Sequence, residues 1–222
     1  MATTTVPAIY WLKRDFRLAD NPALTTALAE NDAVLPLYIL EPSFLAAPET
    51  SELHAHAVTN AVADFRKKVQ TGGGQVAIVK AEVVATLEDL YQQQPFQRLY
   101  SHEEIGVDRT YQRDLAVREW CDQRGVKWVE MPQTGVFRAF SDRDKRSTFW
   151  KQFTFAELYP KPNATDLQRL VVPAAWESIC YPQQKPLTMA DTGYKLTELQ
   201  QRNVQAVSET DAEATLHSFL YE

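Results

Sequence analysis

The chain has 222 residues, of which 45% are hydrophobic, and this suffices for one globular domain with an appendage. A net charge of −6 argues against non-specific nucleic-acid binding by the whole surface, although it leaves room for a local basic patch. The two cysteines, Cys121 and Cys180, form neither a disulfide framework nor a metal-ligand spacing. The sequence shows no signal-peptide pattern and no membrane-length apolar run, so we expect a cytoplasmic protein without a membrane partner.

The first 131 residues alternate between short apolar runs and longer helical patterns. The short runs are β-branched or aromatic and end in turn residues, which predicts strands at 8–12, 33–40, 75–80, 97–102 and 126–131. Four helical patterns separate these five strands. The alternation predicts an α/β fold with a Rossmann-like, five-stranded doubly wound parallel sheet in the order 3-2-1-4-5.

The helical patterns carry recognisable start signals and apolar faces. Asn21 precedes a proline and is a predicted N-cap of the first helix, because its side chain can accept a hydrogen bond from a free backbone N–H. The fourth helix, predicted over 108–125, has Tyr111, Leu115 and Trp120 near helical spacing. We expect these three side chains to face the core.

The pattern changes after the fifth strand. Residues 152–186 hold five prolines and several aromatic residues, which predicts an extended linker that wraps the domain. Helix is expected to return only at 209–222, with an apolar face that has no partner elsewhere in the chain.

Charged residues follow two strands whose carboxyl ends are expected to meet. The first strand runs into Lys13 and Arg14, and the fourth strand runs into the acidic stretch 100-YSHEEIG-106. Open doubly wound sheets bind ligands at the carboxyl ends of strands where the strand order reverses. The predicted ligand site is the crevice between strands one and four, covered by the loop 41–53.

Structural roles compete with ligand binding at these positions. Arg14 could equally form a salt bridge with the next residue, and Arg17 could cap a carbonyl oxygen. His102 beside Glu103 and Glu104 could suggest a metal site, but no third ligand follows this stretch at a usable spacing. A polar pocket wall or a solvated loop is therefore favoured over a metal site. No GxGxxG follows the first strand and no nucleophile adjoins a base, so the residues indicate a binding domain and not a catalyst.

Four stretches, in order along residues 9–138, resemble the photolyase/cryptochrome family. The stretch 11-WLKRDFRLADNPAL-24 is similar to its opening signature, and 34-VLPLYILEP-42 to its second strand. The most specific match, 100-YSHEEIGVDRTYQRDLAVREWC-121, resembles its fourth strand, acidic loop and following helix. With 132-PQTGVFR-138 the chain is similar to a bacterial branch of the family.

The resemblance implies an amino-terminal domain that binds a light-harvesting antenna chromophore: methenyltetrahydrofolate, a deazaflavin or a flavin-like pigment. In the family a second, helical domain binds FAD and performs blue-light repair of pyrimidine dimers or photoreception. The resemblance implies an α/β domain over 1–138, an interdomain linker over 139–208 and, over 209–222, the first helix of the FAD-binding domain. We therefore expect the chain alone to be inactive as a deoxyribodipyrimidine photo-lyase. Its partners would be the pigment, the FAD-binding domain and, weakly through the basic stretch 136–151, DNA.

The resemblance also supplies candidate site residues, without a catalytic or a metal-binding position. Six cofactor-binding positions carry over onto this chain: Arg14, Glu41, Phe44, His102, Glu103 and Glu104. Two alternatives stay open. One is a stand-alone nucleotide- or flavin-binding module, and the other is a truncated interaction protein without photochemistry.

Overall fold

The computed structural model describes residues 6–136, 142 and 144–221. Its centre is one parallel sheet in the order β3-β2-β1-β4-β5, which confirms the predicted fold class and strand order. The strands are β1 (Ala8–Leu12), β2 (Val34–Ile39), β3 (Ala77–Val79), β4 (Arg98–His102) and β5 (Lys127–Met131).

Helices cover both faces of the sheet because both faces of its central strands are apolar. The helices of this half are α1 (Pro22–Glu30), α2 (Pro42–Leu45), α3 (Glu52–Thr71), α4 (Val83–Gln93) and α5 (Asp108–Arg124). Tyr10 and Leu12 of β1 pack with α1 and α3, whereas Ile9 and Trp11 pack with α4 and α5. Such two-sided burial is the usual state of a parallel sheet.

Pro36 lies inside the central strand β2, where proline is normally excluded because it lacks an N–H. β3 pairs with β2 only from Leu37 onward, and Leu170 forms an isolated parallel bridge with Val34. Pro36 therefore lies in the gap between these two partners, where neither pairs with it and a missing N–H is tolerated.

The predicted inward face of α5 was wrong at two positions. Tyr111 and Leu115 are each 43% exposed, whereas Trp120 is buried as predicted. The buried face near the start of the helix carries Asp114 instead, whose Oδ2 lies 2.7 Å from the buried ammonium of Lys13. A buried cation requires a carboxylate partner, and this requirement overrides the apolar periodicity of the helix.

The second half contains more helix than predicted. Its elements are α6 (Arg146–Thr154), α7 (Ala164–Gln168), a 3-10 turn (Ala174–Trp176), α8 (Met189–Thr192), α9 (Glu198–Asn203) and α10 (Glu209–Tyr221). The expectation that helix returns only at the end was therefore wrong. Capping boxes begin α7, α8 and α9, and they stabilise short helices between the prolines.

Part of this half wraps the sheet. Leu167 and Leu170 join the core on the α1 and α3 side, and Trp176 is fully buried on the other side. The indole Nε1 of Trp176 donates to the carbonyl oxygen of Leu90 at 2.9 Å. The domain boundary predicted at residue 138 lies outside the described residues.

The last helix, α10, exposes its apolar residues: Leu216, Phe219 and Leu220 are 57%, 84% and 57% exposed. Its first residue, Glu209, by contrast accepts hydrogen bonds from the loop that follows β1. Within the described part of the chain, no helix combines the length and the apolarity that a membrane crossing requires.

Candidate ligand-binding site

A cavity of about 480 Å³ lies at the carboxyl ends of β1 and β2. Residues of α2 and of the following loop, the first turns of α3 and the first turns of α5 form its walls. Its volume falls within the roughly 300–1,000 Å³ that small-molecule sites occupy. The sequence analysis predicted the ligand site between strands one and four, whereas this cavity lies over β1 and β2 and the β4 side contributes through α5.

The floor of the cavity is apolar because the last residues of two buried strands form it. Trp11 and Leu12 come from β1, and Tyr38 and Ile39 from β2. Phe16, in the loop after β1, packs edge-on against Tyr38 with ring centroids 5.4 Å apart. This floor suits a planar ring system, since an aromatic ligand can bury apolar surface against it.

Arg113 connects the cavity to a buried carboxylate cluster. Its guanidinium lies 2.8 Å from Glu41, 3.3 Å from Glu104 and 3.0 Å from Asp114, and 4.9 Å from the Trp11 ring centroid. Burial alone would lower the pKa of Arg113, but Glu41 and Asp114 outweigh burial and raise it. Arg113 is therefore a fixed part of the wall that holds the Trp11 ring in place.

Lys13 is also a structural cation. Its Nζ lies 4.6 Å from the Trp11 ring centroid and 5.0 Å from that of Trp128, and 2.7 Å from Asp114. Burial lowers the pKa of Lys13, while the Asp114 carboxylate opposes that shift. The basic residues at the end of β1 thus divide into Lys13, which braces the two indoles, and Arg14, which faces the opening.

Two arginines remain partly accessible at the rim of the cavity. The Arg14 side chain is 53% exposed, with its Nε 3.4 Å from Glu104 Oε2. Arg109 donates from Nε to Glu49 Oε1 at 3.1 Å, and its guanidinium lies 5.5 Å from the Phe44 ring centroid. These cations could bind the anionic part of a ligand whose ring lies on the apolar floor.

The structure separates the six candidate residues into three groups. Arg14, Glu41 and Phe44 line the cavity. Glu104 lies behind the wall, where its carboxylate contacts Arg14 and Arg113. His102 and Glu103 are not among the residues that line the cavity.

His102 is held beneath the loop after β1 and away from the cavity. Its Nδ1 lies 3.6 Å from Asp15 Oδ2, and the side chain is 5% exposed. Burial, assisted by the nearby charges of Arg17 and Lys13, lowers the pKa of His102 to about 4. The ring is neutral at pH 7, so its contact with Asp15 is not an ion pair.

The structural alternatives for the loop after β1 are resolved by these contacts. Arg14 pairs with Glu104 and not with Asp15, which instead lies 2.9 Å from Arg17. Arg17 also donates to the carbonyl oxygens of Ala19 and Asp20, so the interpretation that it caps a neighbouring carbonyl is confirmed.

Sequence reasoning did not identify Arg109 and Arg113 as wall residues. The available signal was their spacing of four residues at the start of the helix after β4, which places both on the cavity side. His54 also lines the cavity, and its Nδ1 accepts from the backbone N–H of Ser51 at the start of α3. Across the described residues, no group of three potential ligands could hold a metal ion.

Comparisons with known proteins agree with this fold. The family described as DNA photolyase matches residues 8–156. A deoxyribodipyrimidine photo-lyase from Agrobacterium fabrum is 29% identical over 188 residues, which cover 79% of this chain and 37% of that protein. The chloroplastic/mitochondrial cryptochrome DASH from Oryza sativa subsp. japonica is 28% identical over 136 residues, covering 58% of this chain and 22% of that protein.

Solved structures show the same architecture. A bacterial class III photolyase from Agrobacterium tumefaciens superposes with a TM-score of 0.73 at 17% identity, covering 99% of this chain and 45% of that one. An archaeal photolyase from Sulfolobus tokodaii, solved with two FAD molecules that implied a novel light-harvesting cofactor, superposes with a TM-score of 0.67 at 17% identity. The latter match covers 96% of this chain and 46% of the archaeal one, so the chain spans less than half of either solved protein.

Proposed function

The chain belongs to the DNA photolyase family, and from this premise we propose that its α/β domain binds a light-harvesting antenna chromophore. The observation that carries the proposal is the cavity of about 480 Å³, with an apolar floor and a cationic rim, at the carboxyl ends of β1 and β2. The light-harvesting cofactor implied for the archaeal photolyase gives a precedent among proteins of this fold.

The residues of the cavity fit a pigment that has a planar ring and an anionic tail. Trp11, Phe16 and Tyr38 offer aromatic surface to the ring, and Arg14 and Arg109 offer cations to the tail. Methenyltetrahydrofolate, deazaflavins and flavin nucleotides share this chemistry. When bound, such a pigment would absorb light and pass on excitation energy.

Rigidity of the wall supports this role because energy transfer depends on the orientation of the pigment. The Trp11 ring has the Lys13 ammonium 4.6 Å and the Arg113 guanidinium 4.9 Å from its centroid, and buried carboxylates pair with both cations. Trp11 is 2% exposed, so it is a fixed part of the floor against which a bound ring would lie.

For a whole protein with the architecture of these relatives, the proposed activity is FAD-dependent, blue-light repair of pyrimidine dimers or photoreception. In that arrangement residues 1–138 would bind the antenna, 139–208 would link the domains, and 209–222 would begin the FAD-binding domain. DNA would be bound by the whole protein and only weakly by this chain. Photolyase activity from this chain alone would contradict that division.

A second candidate is a nucleotide-binding module, favoured by the half-exposed guanidinium of Arg14, which could pair with a phosphate group. ATP and a folate distinguish the two candidates, because ATP places its charge on phosphates and lacks an extended chromophore. Binding of ATP alone would support the second candidate against the first.

The test is a titration of the purified chain with methenyltetrahydrofolate, a deazaflavin, FMN, FAD and ATP, followed by absorbance and by thermal stability. We expect one antenna pigment to bind saturably and to raise the melting temperature. Arg14→Ala should weaken that binding roughly 10- to 100-fold, since a charge-assisted hydrogen bond contributes roughly 1.5–3 kcal/mol. Arg202→Ala, at an exposed position on α9, is the matched control and should leave the Kd unchanged. Absence of saturable binding by every pigment would contradict the proposal.

A further inference from the structure

Glu209, the first residue of α10, contacts both the loop after β1 and helix α3. Its Oε1 accepts from the backbone N–H groups of Leu18 at 3.0 Å and Ala19 at 2.8 Å. Its Oε2 accepts from Lys68 Nζ on α3 at 3.2 Å. The Glu209 side chain is only 10% exposed, although most of α10 is exposed to solvent.

Both structures that Glu209 joins also line the cavity. The loop after β1 contributes Arg14 and Phe16, and it continues directly to Leu18 and Ala19. α3 contributes Ala57 and Val58, about three turns before Lys68. A single carboxylate on α10 therefore holds the loop and the helix together outside the ligand cavity.

The loop needs such external contacts because its backbone is strained. Asp20 has a φ of 48°, the only positive φ of a non-glycine residue within the described ranges. Its N–H donates to the carbonyl oxygen of Tyr159 at 3.0 Å, and its Oδ1 accepts from the N–H of Tyr159 at 3.1 Å. The loop is thus fixed at adjacent points by two segments of the second half, which together keep a disfavoured conformation populated.

The bonds to Glu209 are of the stronger, charge-assisted kind. Burial alone would raise the pKa of Glu209, but the Ala19 N–H and the Lys68 ammonium outweigh burial and lower it. The carboxylate is ionised at neutral pH, and hydrogen bonds to an ionised acceptor are about twice as strong as neutral ones.

We propose that Glu209 is a positioning residue for the cavity, and that through it the docking of α10 and the binding of a ligand are energetically coupled. The ligand part of this inference rests on the proposed function. Coupling is reciprocal, so a ligand that orders Phe16 and Arg14 also strengthens the contact of α10 with the domain. An event that pulls α10 away would release the loop and weaken ligand binding.

The clamp itself is tested on the full chain without ligand, by hydrogen exchange of the Leu18 and Ala19 amides. Glu209→Ala removes both acceptors and should speed their exchange about tenfold or more, the factor expected for losing a charge-assisted hydrogen bond. Glu209→Gln keeps one carbonyl acceptor and should retain part of the protection. Glu213→Ala, one turn further along α10 and exposed, is the matched control and should leave the exchange unchanged. Unchanged exchange in Glu209→Ala would overturn the clamp.

The coupling is tested with whichever antenna pigment binds the unaltered chain. Glu209→Ala should raise its Kd about fivefold or more, Glu209→Gln should partly restore it, and Glu213→Ala should leave it unchanged. The pigment should also slow amide exchange in the first turn of α10. Faster loop exchange with an unchanged Kd would overturn the coupling. If no pigment binds the unaltered chain, the proposed function fails, and the exchange of Leu18 and Ala19 still supports or overturns the clamp.

Discussion

Replacement of Arg113 by methionine removes the cation at the centre of the cavity wall while keeping most of the side-chain volume. The three carboxylates that contact it, Glu41, Glu104 and Asp114, have side chains that are 8%, 4% and 2% exposed. Asp114 keeps Lys13 as a partner, and Glu104 keeps Arg14. Glu41 has no second ion pair within the described part of the chain, so the cost falls mainly on this residue.

An uncompensated buried charge costs roughly 3–5 kcal/mol when its partner is removed. Because two of the three carboxylates retain a cation, we expect Arg113→Met to lower the free energy of unfolding by about 3 kcal/mol at pH 7. In a domain of this size each kcal/mol corresponds to roughly 2–4 °C, so the melting temperature should fall by roughly 6–12 °C.

The assay is urea unfolding at pH 7 and at pH 5. Without Arg113 the pKa of Glu41 in the folded protein should rise well above its unfolded value, because burial already raises it and Arg113 opposes that shift. A group with a raised folded pKa favours the folded state at low pH, so the deficit of the variant should shrink as the pH falls. Arg124→Met is the matched control, since Arg124 pairs with Glu88 at the surface and should cost less than about 1 kcal/mol. A loss below 1 kcal/mol for Arg113→Met, or an equal loss at both pH values, would refute this reasoning.

Three further predictions concern packing and pH. In Gly74→Ala the new Cβ would collide with the carbonyl oxygen of Leu167, so we expect the free energy of unfolding in urea to fall by about 1–3 kcal/mol. In the control Gly125→Ala the new Cβ meets no atom within 4 Å, so the change should cost only the roughly 1 kcal/mol of the positive φ. Trp176→Ala should lower the free energy of unfolding by about 3–5 kcal/mol, because the indole is fully buried; a loss below 1 kcal/mol would show that the wrapping segment contributes little. Burial lowers the pKa of His102 to about 4, so between pH 6.5 and 4 the unfolded chain binds a proton at this residue and the folded chain does not. The free energy of unfolding should therefore fall by about 3 kcal/mol as the pH decreases over that interval. His102→Asn should remove this contribution, and an unaltered pH profile in that variant would contradict it.

The sheet could be predicted from the sequence because its signals are local. Each strand is a short apolar run between turn residues, and Asn21 caps α1 as expected, with its Oδ1 accepting from the Leu24 N–H at 2.9 Å. The strand order followed from the usual topology of such folds and from no particular residue.

What could not be predicted depends on contacts between distant residues. Tyr111 and Leu115 are exposed because Asp114 must turn inward toward Lys13, which lies 101 positions earlier. The packing of Leu167 against the end of α3 likewise depends on Gly72 and Gly74, where any side chain would collide with it. Neither requirement leaves a periodic pattern in the sequence.

Those residues of the candidate site that follow a strand directly could be identified from the sequence, because their signal is local. Arg14 could be identified because it follows a strand end directly, where parallel sheets expose their ligand-binding edge. His102 also follows a strand, yet it packs beneath the loop against Asp15 at 3.6 Å. Arg109 and Arg113 share one side of α5 through their spacing of four, but that spacing does not show that this side faces the cavity.

The central claim is that the cavity at the ends of β1 and β2 binds an antenna pigment, and a cavity-filling variant tests it most directly. Ala57 lines the cavity on α3, whereas Ala63 on the same helix is exposed, so Ala57→Phe and Ala63→Phe form a matched pair. The measurement is an absorbance titration of both variants with the pigment that binds the unaltered chain, together with their melting temperatures. We predict that Ala57→Phe loses saturable binding while remaining folded, and that Ala63→Phe binds normally. Undiminished binding by folded Ala57→Phe would contradict the account.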